Sequence, residues 1–205
     1  MMWIAHRCND WETIHHEVHH ADVIEVDIVI TKDNKFLLNH DLDVNRLIVS
    51  QHNSGTFRNL IELTELLRKI SKPIYIDIKW DPRVSPKHFA KKLYRTLFPF
   101  KHRWSSLYLF TFDLPLLEQI RNKFIANITI GWLIEDATLW DYSVDCDIVG
   151  VDYQIAHLVM TNKPIFVYTV NDFQSLRHLK RFDGIVSDKV EFLQKQVRNN
   201  YLVHS

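Results

Sequence analysis

Short runs of β-branched and aromatic residues return eight times along this chain, at residues 3–6, 23–29, 74–79, 106–111, 128–133, 148–152, 165–170 and 184–187. Between them, apolar residues recur at helical spacing, most clearly over 60–70, 88–97, 114–124, 173–179 and 190–197. Asp113, Asp172 and Asp188 each stand just ahead of such a segment and are expected to cap it. Strands alternating with helices predict parallel βαβ units. An open doubly wound sheet also gives that pattern, but eight units favour a closed (β/α)8 TIM barrel of the α/β class. About 250 residues is typical of that barrel, so 205 residues make a compact example. One element breaks the alternation: Thr31 to Lys35 reads as a polar turn and Phe36 to His40 as a short returning strand. A small β-hairpin after strand 2 would swing His40 over one end of the barrel. No linker or low-complexity tract divides the chain, and one domain over 1–205 is expected.

The second strand carries an electrostatic anomaly. Glu25 and Asp27 lie two apart in the run Val23-Ile-Glu-Val-Asp-Ile-Val29, so they project to one face. Burying two like charges side by side is costly without a compensating cation. The third strand repeats the spacing with Asp77 and Lys79, and the first ends in His6-Arg7. In such a barrel the chemistry sits at the carboxyl ends of the strands. Three carboxylates there, Glu25, Asp27 and Asp77, suit one hard divalent cation, Mg²⁺ or Ca²⁺, better than zinc. Arg7 and Lys79 supply the positive charge that a phosphate binds. His6 and His40 can divide general-acid and general-base work. The bland alternative is a structural network in which Arg7 and Lys79 simply pair with Glu25 and Asp27.

Other signals exclude more than they add. Lys and Arg total 25 against 25 Asp and Glu, so no global field favours nucleic acid or an anionic membrane. Basic clusters such as Lys91-Lys92 and Arg177 to Arg181 read as solvated helix faces. Only four glycines occur and none forms a phosphate loop, which disfavours nucleotide-binding folds. No apolar run approaches the length of a membrane span. Met1-Met2-Trp3-Ile4-Ala5 leads into polar residues without a signal-peptide pattern. Two cysteines make no disulfide framework, and the expectation is a cytoplasmic protein with reduced thiols. Cys146 reads as a small core residue, whereas Cys8 is expected beside the site, where oxidation would block access. His16-Glu17-Val18-His19-His20 matches the H-E-x-x-H zinc-protease pattern. It belongs, however, to the short helix between the first two strands, outside the barrel, with no third ligand evident.

Taken in order, Ile4-Ala-His-Arg7, Ile24-Glu-Val-Asp27, Thr31-Lys-Asp33 and His40-Asp41 resemble the N-terminal signature of the glycerophosphodiester phosphodiesterase family. Ile76-Asp-Ile-Lys79, Thr111-Phe-Asp113, Val167-Tyr-Thr-Val-Asn171 and Phe182 to Asp188 continue the resemblance. It implies metal-dependent cleavage of a small phosphodiester substrate to glycerol 3-phosphate and an alcohol, as part of lipid or glycerol metabolism. By position it implies His6 and His40 as the acid–base pair and Glu25, Asp27 and Asp77 as metal ligands. Arg7 and Lys79 would clamp the phosphate, and Tyr168 would form an aromatic wall where the family commonly has Trp. This chain has Cys8 where the family usually has Gly, Asp77 where it often has Glu, and a shortened loop, Asn9 to Thr13. Asp77 with Lys79 also resembles the related sphingomyelinase D branch. Two further readings therefore stand beside the first: a lysophospholipase D-like activity on lipid phosphodiesters, and an inactive barrel used for binding.

Overall fold

The computed structural model describes residues 1–125, 127–141 and 143–202; residues 203–205 of the expected domain lie outside them. In chain order, β1 (Met2–Ala5) leads to α1 (Trp11–Glu17), β2 (Val23–Ile30), β3 (Phe36–Leu38), β4 (Asp43–Val44) and β5 (Leu47–Ile48). Next come α2 (Leu63–Lys69), β6 (Ile74–Ile78), α3 (Pro86–Leu97), β7 (Leu107–Thr111), α4 (Leu114–Lys123) and β8 (Thr129–Ile134). The last part holds β9 (Ile148–Asp152), β10 (Ile165–Tyr168), α5 (Phe173–His178), β11 (Gly184–Ser187) and α6 (Val190–Leu202). Parallel pairing runs β1-β11-β10-β9-β8-β7-β6-β2, and β1 pairs with β2 to close the ring. The result is the expected (β/α)8 barrel.

Its core has two layers, separated by strand parity. Ile24, Val26 and Ile28 of β2 point outward into one continuous cluster that also takes in helical residues such as Leu66, Phe89 and Leu117. Val23, Tyr75, Phe110, Leu133, Phe166 and Val186 point inward and fill the barrel itself. Tyr75 and Phe110 stack there with ring centroids 4.0 Å apart. Since both faces of β2 are covered, every one of its residues is buried. A helix such as α3 follows from its sequence in the ordinary way. Ser85 caps it by accepting from the His88 N–H, Pro86 sits in the first turn, and Phe89, Ala90, Leu93 and Leu97 form its buried stripe.

The compactness has a visible source. Among the described residues no α-helix follows β8 or β9. A 3₁₀ turn at Ala137–Leu139 and turns over 153–158 take those places. The returning strand is present: β3 pairs antiparallel with β2, Ile28 opposite Leu38 and Ile30 opposite Phe36. Thr31 and Asp33 organise the turn between them, and Asn34 supplies a left-handed φ of 64°. The pairing of β4 with β5 extends this excursion beyond what the sequence led us to expect.

Asp172 and Asp113 take the N-cap positions expected of them, and Asp188 does not. Asp172 caps α5 as expected, accepting from the Ser175 N–H at 2.7 Å. Asp113 occupies the N-cap position of α4 without a side-chain hydrogen bond to it. The Asp188 carboxylate turns away from α6 toward His6 and Asn171. No described helix is long and apolar enough to cross a membrane.

Candidate active site

Strand parity carries the inward series of the barrel onto its carboxyl end. On β2 it runs Val23, Glu25, Asp27, and on β6 Tyr75, Asp77, then Lys79 one step past the strand. His6 follows Ile4 past the end of β1, and Asp188 follows Val186 past the end of β11. Register aligns the acids, with Asp27 paired directly to Asp77 across β2 and β6. Glu25, Asp27 and Asp77 are all buried and bring carboxylate oxygens within 4.8 Å of one another.

Each acid is held by a different device. The backbone N–H of Arg7, a residue with a left-handed φ of 54°, donates to Glu25 Oε2. Asn9 clasps Asp27 twice: its Nδ2 donates to Asp27 Oδ2 at 2.7 Å, and its Oδ1 accepts from the Asp27 N–H at 2.9 Å. Lys79 Nζ donates to Asp77 Oδ2 at 2.7 Å and lies 3.1 Å from Asp27 Oδ1. Asp27 Oδ1 thus has only the Lys79 ammonium, which it shares with Asp77, and Asp77 Oδ1 is a buried acceptor with no donor.

The electrostatics reflect an excess of negative charge. Burial, and then the charges of Asp27 and Asp77, push the Glu25 pKa well above the ordinary carboxylate range. Burial and the Asp27 charge, opposed by Lys79, push Asp77 up to about 6. Burial works against the Lys79 ammonium, but Asp77 and Asp27 outweigh it and raise its pKa. One buried ammonium does not balance three buried carboxylates. All the available donors to a cation are oxygens, one of them (Asp77 Oδ1) without a partner, so the residues present fit a hard divalent cation.

Two histidines stand at the rim, and each has its Nδ1 fixed by a carboxylate. His6 Nδ1 lies 2.7 Å from Asp188 Oδ1, and its backbone N–H donates to the Ser187 carbonyl at 3.0 Å. The His6 hydrogen bond, with help from Asn171, holds the Asp188 carboxyl below its ordinary value. His40 Nδ1 lies 2.8 Å from Asp41 Oδ1, and its Nε2 is 2.7 Å from Arg7 Nη2. A guanidinium only donates, so Nε2 of His40 carries the lone pair and Nδ1 carries the proton that faces Asp41.

A cleft of about 30 Å³ opens beside His6, lined by His6, Glu25, Asp77, Tyr168 and Phe112 over a floor of Tyr75, Leu133 and Val186. Tyr168 meets Phe112 edge to face at 6.1 Å. Its hydroxyl donates to the Ile134 carbonyl at 2.9 Å, so the ring acts as a wall and the added hydroxyl is already engaged. Burial, followed by the charges of Glu135 and Asp152, raises the Tyr168 pKa. A groove of about 840 Å³ lies elsewhere, between residues 153–163 and the end of α5, and no residue expected in the site lines it.

All eight expected site residues lie at this end of the barrel, with Arg7 on its exposed rim. One expectation about its surroundings fails. Cys8 is fully buried among core residues, its thiol donating to the Ala5 carbonyl, and burial pushes its pKa up. It is a small core side chain and not an accessible thiol. Asn9, Asp188 and Asn171 were not foreseen in these roles. The only hint was their place within or beside the motifs that carry the resemblance.

The family model described as "Glycerophosphoryl diester phosphodiesterase family" matches residues 16–138. No curated protein matches the chain in sequence. Among solved structures, a glycerophosphodiester phosphodiesterase from Parabacteroides distasonis is similar, with a TM-score of 0.83, 14% identity and 98% of each chain covered. An Oleispira antarctica phosphodiesterase, solved with the product sn-glycerol-3-phosphate, gives a TM-score of 0.78, 15% identity and 97% coverage of each chain. A glycerophosphodiester phosphodiesterase from Thermotoga maritima gives 0.70 and 22% identity over 90% of each chain. At these identities the likeness establishes the fold alone.

Proposed function

Because this chain belongs to the glycerophosphoryl diester phosphodiesterase family, we propose that it hydrolyses glycerophosphodiesters to glycerol 3-phosphate and an alcohol, with one divalent cation, Mg²⁺ or Ca²⁺. The observation that carries this reading is the buried trio Glu25, Asp27 and Asp77, three carboxylates against the single Lys79 ammonium, beside two carboxylate-pinned histidines. The trio would hold the cation. Once bound, it supplies charge neutralisation and Lewis-acid polarisation of a phosphate oxygen.

The protein's own groups divide the remaining work. Arg7 offers the phosphate a planar fork at the rim and Lys79 a point charge in the cleft. When the phosphate draws Arg7 away, Nε2 of His40 is released with its lone pair. It accepts the proton of the glycerol hydroxyl next to the phosphate. The freed oxygen forms a bond to phosphorus while the bond to the leaving alcohol breaks. His6, aligned by Asp188, gives that alkoxide a proton. Water then opens the cyclic phosphate with the two histidines exchanging roles. The Tyr168 ring walls the cleft beside the acids. A neighbour of the same fold holds sn-glycerol-3-phosphate as its product, which agrees in kind.

Glycerophosphocholine incubated with the protein and Mg²⁺ or Ca²⁺ should release choline and glycerol 3-phosphate in equal amounts, and a chelator should stop both. Release of phosphocholine and glycerol would overturn the proposed bond cleavage. H6A and H40A should each lower turnover by at least roughly a hundredfold, the low end for acid–base groups. A wild-type rate in either variant would remove that histidine from the mechanism.

A further inference from the structure

We propose a second metal site, of the zinc class, formed by His16, His20 and Glu191 on the outside of the barrel. It is independent of the phosphodiesterase reading. Each of the three side chains brings a ligand atom within 4.8 Å of the other two. Tetrahedral zinc with bonds of about 2.0–2.1 Å sets its ligand atoms about 3.3 Å apart. Side-chain rotations on the order of an ångström therefore close the cluster around an ion. Two imidazoles and a carboxylate suit Zn²⁺ and its neighbours rather than Mg²⁺ or Ca²⁺. This chemistry is opposite to that of the all-oxygen trio inside the barrel.

Three details support it. Helix α1 ends at Glu17, and the following turn folds His20 back so that its ring centroid lies 4.9 Å from that of His16. His16 Nδ1 lies 3.0 Å from Glu17 Oε1. With that carboxylate accepting, Nε2 of His16 becomes the metal-accepting nitrogen, the arrangement that commonly supports a ligating histidine. The third ligand arrives from the first turn of α6. Glu191 Oε2 stands 4.0 Å from His20 Nε2, and Gln194 Nε2 fixes the same turn by donating to the His20 carbonyl at 2.9 Å.

The H-E-x-x-H spacing thus provides ligands without the protease chemistry. Glu17, which would be the general base there, is mostly buried and holds its own neighbour instead. Solvent would take the fourth position. A metal so placed joins the first helical unit of the chain to the last, across the seam where the barrel closes.

The probe is Zn²⁺ itself, titrated against a chromophoric zinc indicator in excess Mg²⁺, with Tm followed in parallel. One equivalent should bind, and Tm should rise on binding. H20A and E191Q should each weaken Zn²⁺ at least roughly tenfold, the loss seen for supporting partners alone. Both should keep the far-UV circular dichroism and phosphodiesterase rate of the parent. The double variant H15A/H19A should bind as the parent does, since His15 stacks on Trp11 and neither residue belongs to the cluster. No saturable Zn²⁺ binding, undiminished affinity in H20A or E191Q, or loss of affinity in H15A/H19A would each overturn the site. Activity on glycerophosphocholine without Zn²⁺ reports separately on the proposed function.

Discussion

Asp77 is where burial and charge meet most directly at the scale of one residue. Its carboxyl is raised from 3.8 to about 6, so between those values the folded chain keeps a proton that the unfolded chain has lost. Stability of the cation-free protein therefore falls as pH rises through that window, and the ionised form above it is the one that binds a cation. The Tm increment from Mg²⁺ or Ca²⁺ should be clearly smaller at about pH 5 than at about pH 7.5. Equal increments would mean that Asp77 is not a ligand. The acids were legible in the sequence because the β-branched run marks a strand, and in a strand i, i+2 spacing fixes a common face. Asp188, Asn9 and Asn171 were not, because their roles depend on which loop ends meet in space. Cys8 was misjudged for a related reason: adjacency to Arg7 says nothing about which way a side chain turns past a strand end.

At the scale of elements, the inner layer depends on two neighbouring strands sharing one volume. A Cβ added at Gly131 of β8 would lie 2.0 Å from the Phe110 ring of β7. That ring cannot yield, since Tyr75 stacks on its face at 4.0 Å and it is fully buried. G131A should therefore cost about 1–3 kcal/mol through overpacking. For a domain of this size that is a fall in Tm of roughly 2–12 °C, read by calorimetry. An unchanged Tm would show that the interior has slack. The strands and the longer helices were legible because periods of 2 and 3.6 are local properties. The β4–β5 hairpin was not, having only two residues in each strand and no run to announce it. The missing helices after β8 and β9 left only the absence of a periodic segment. The exchange of Asp188 from helix cap to histidine partner shows a tertiary contact overriding a local preference.

For the whole molecule, a buried excess of carboxylates would link folding to the proposed cation binding. A cation at a hundredfold excess over its Kd stabilises the folded state by about 2.7 kcal/mol. In a chain of this length that is a Tm shift of roughly 5–11 °C. Chelation should lower the melting temperature by that amount, and added Mg²⁺ or Ca²⁺ should restore it. No shift with either ion would argue that Lys79 alone balances the trio. Barrel closure was legible from the count of eight strands, since the site residues needed one common end. The third ligand of the outer cluster, Glu191, was not, because nothing near His16 or His20 in sequence points to α6.

The seam of the barrel also sets an order of events in time. β1 pairs over four residues with β11 but over only two with β2, and His6 leans on Ser187 and Asp188. During synthesis at about 5–20 residues per second, the first strand emerges long before the strand that will hold it. His6 must wait, without its partners, until Ser187 and Asp188 have been made. Under the role proposed for His6, activity should appear only once β11 has emerged, in one step rather than in proportion to the length made.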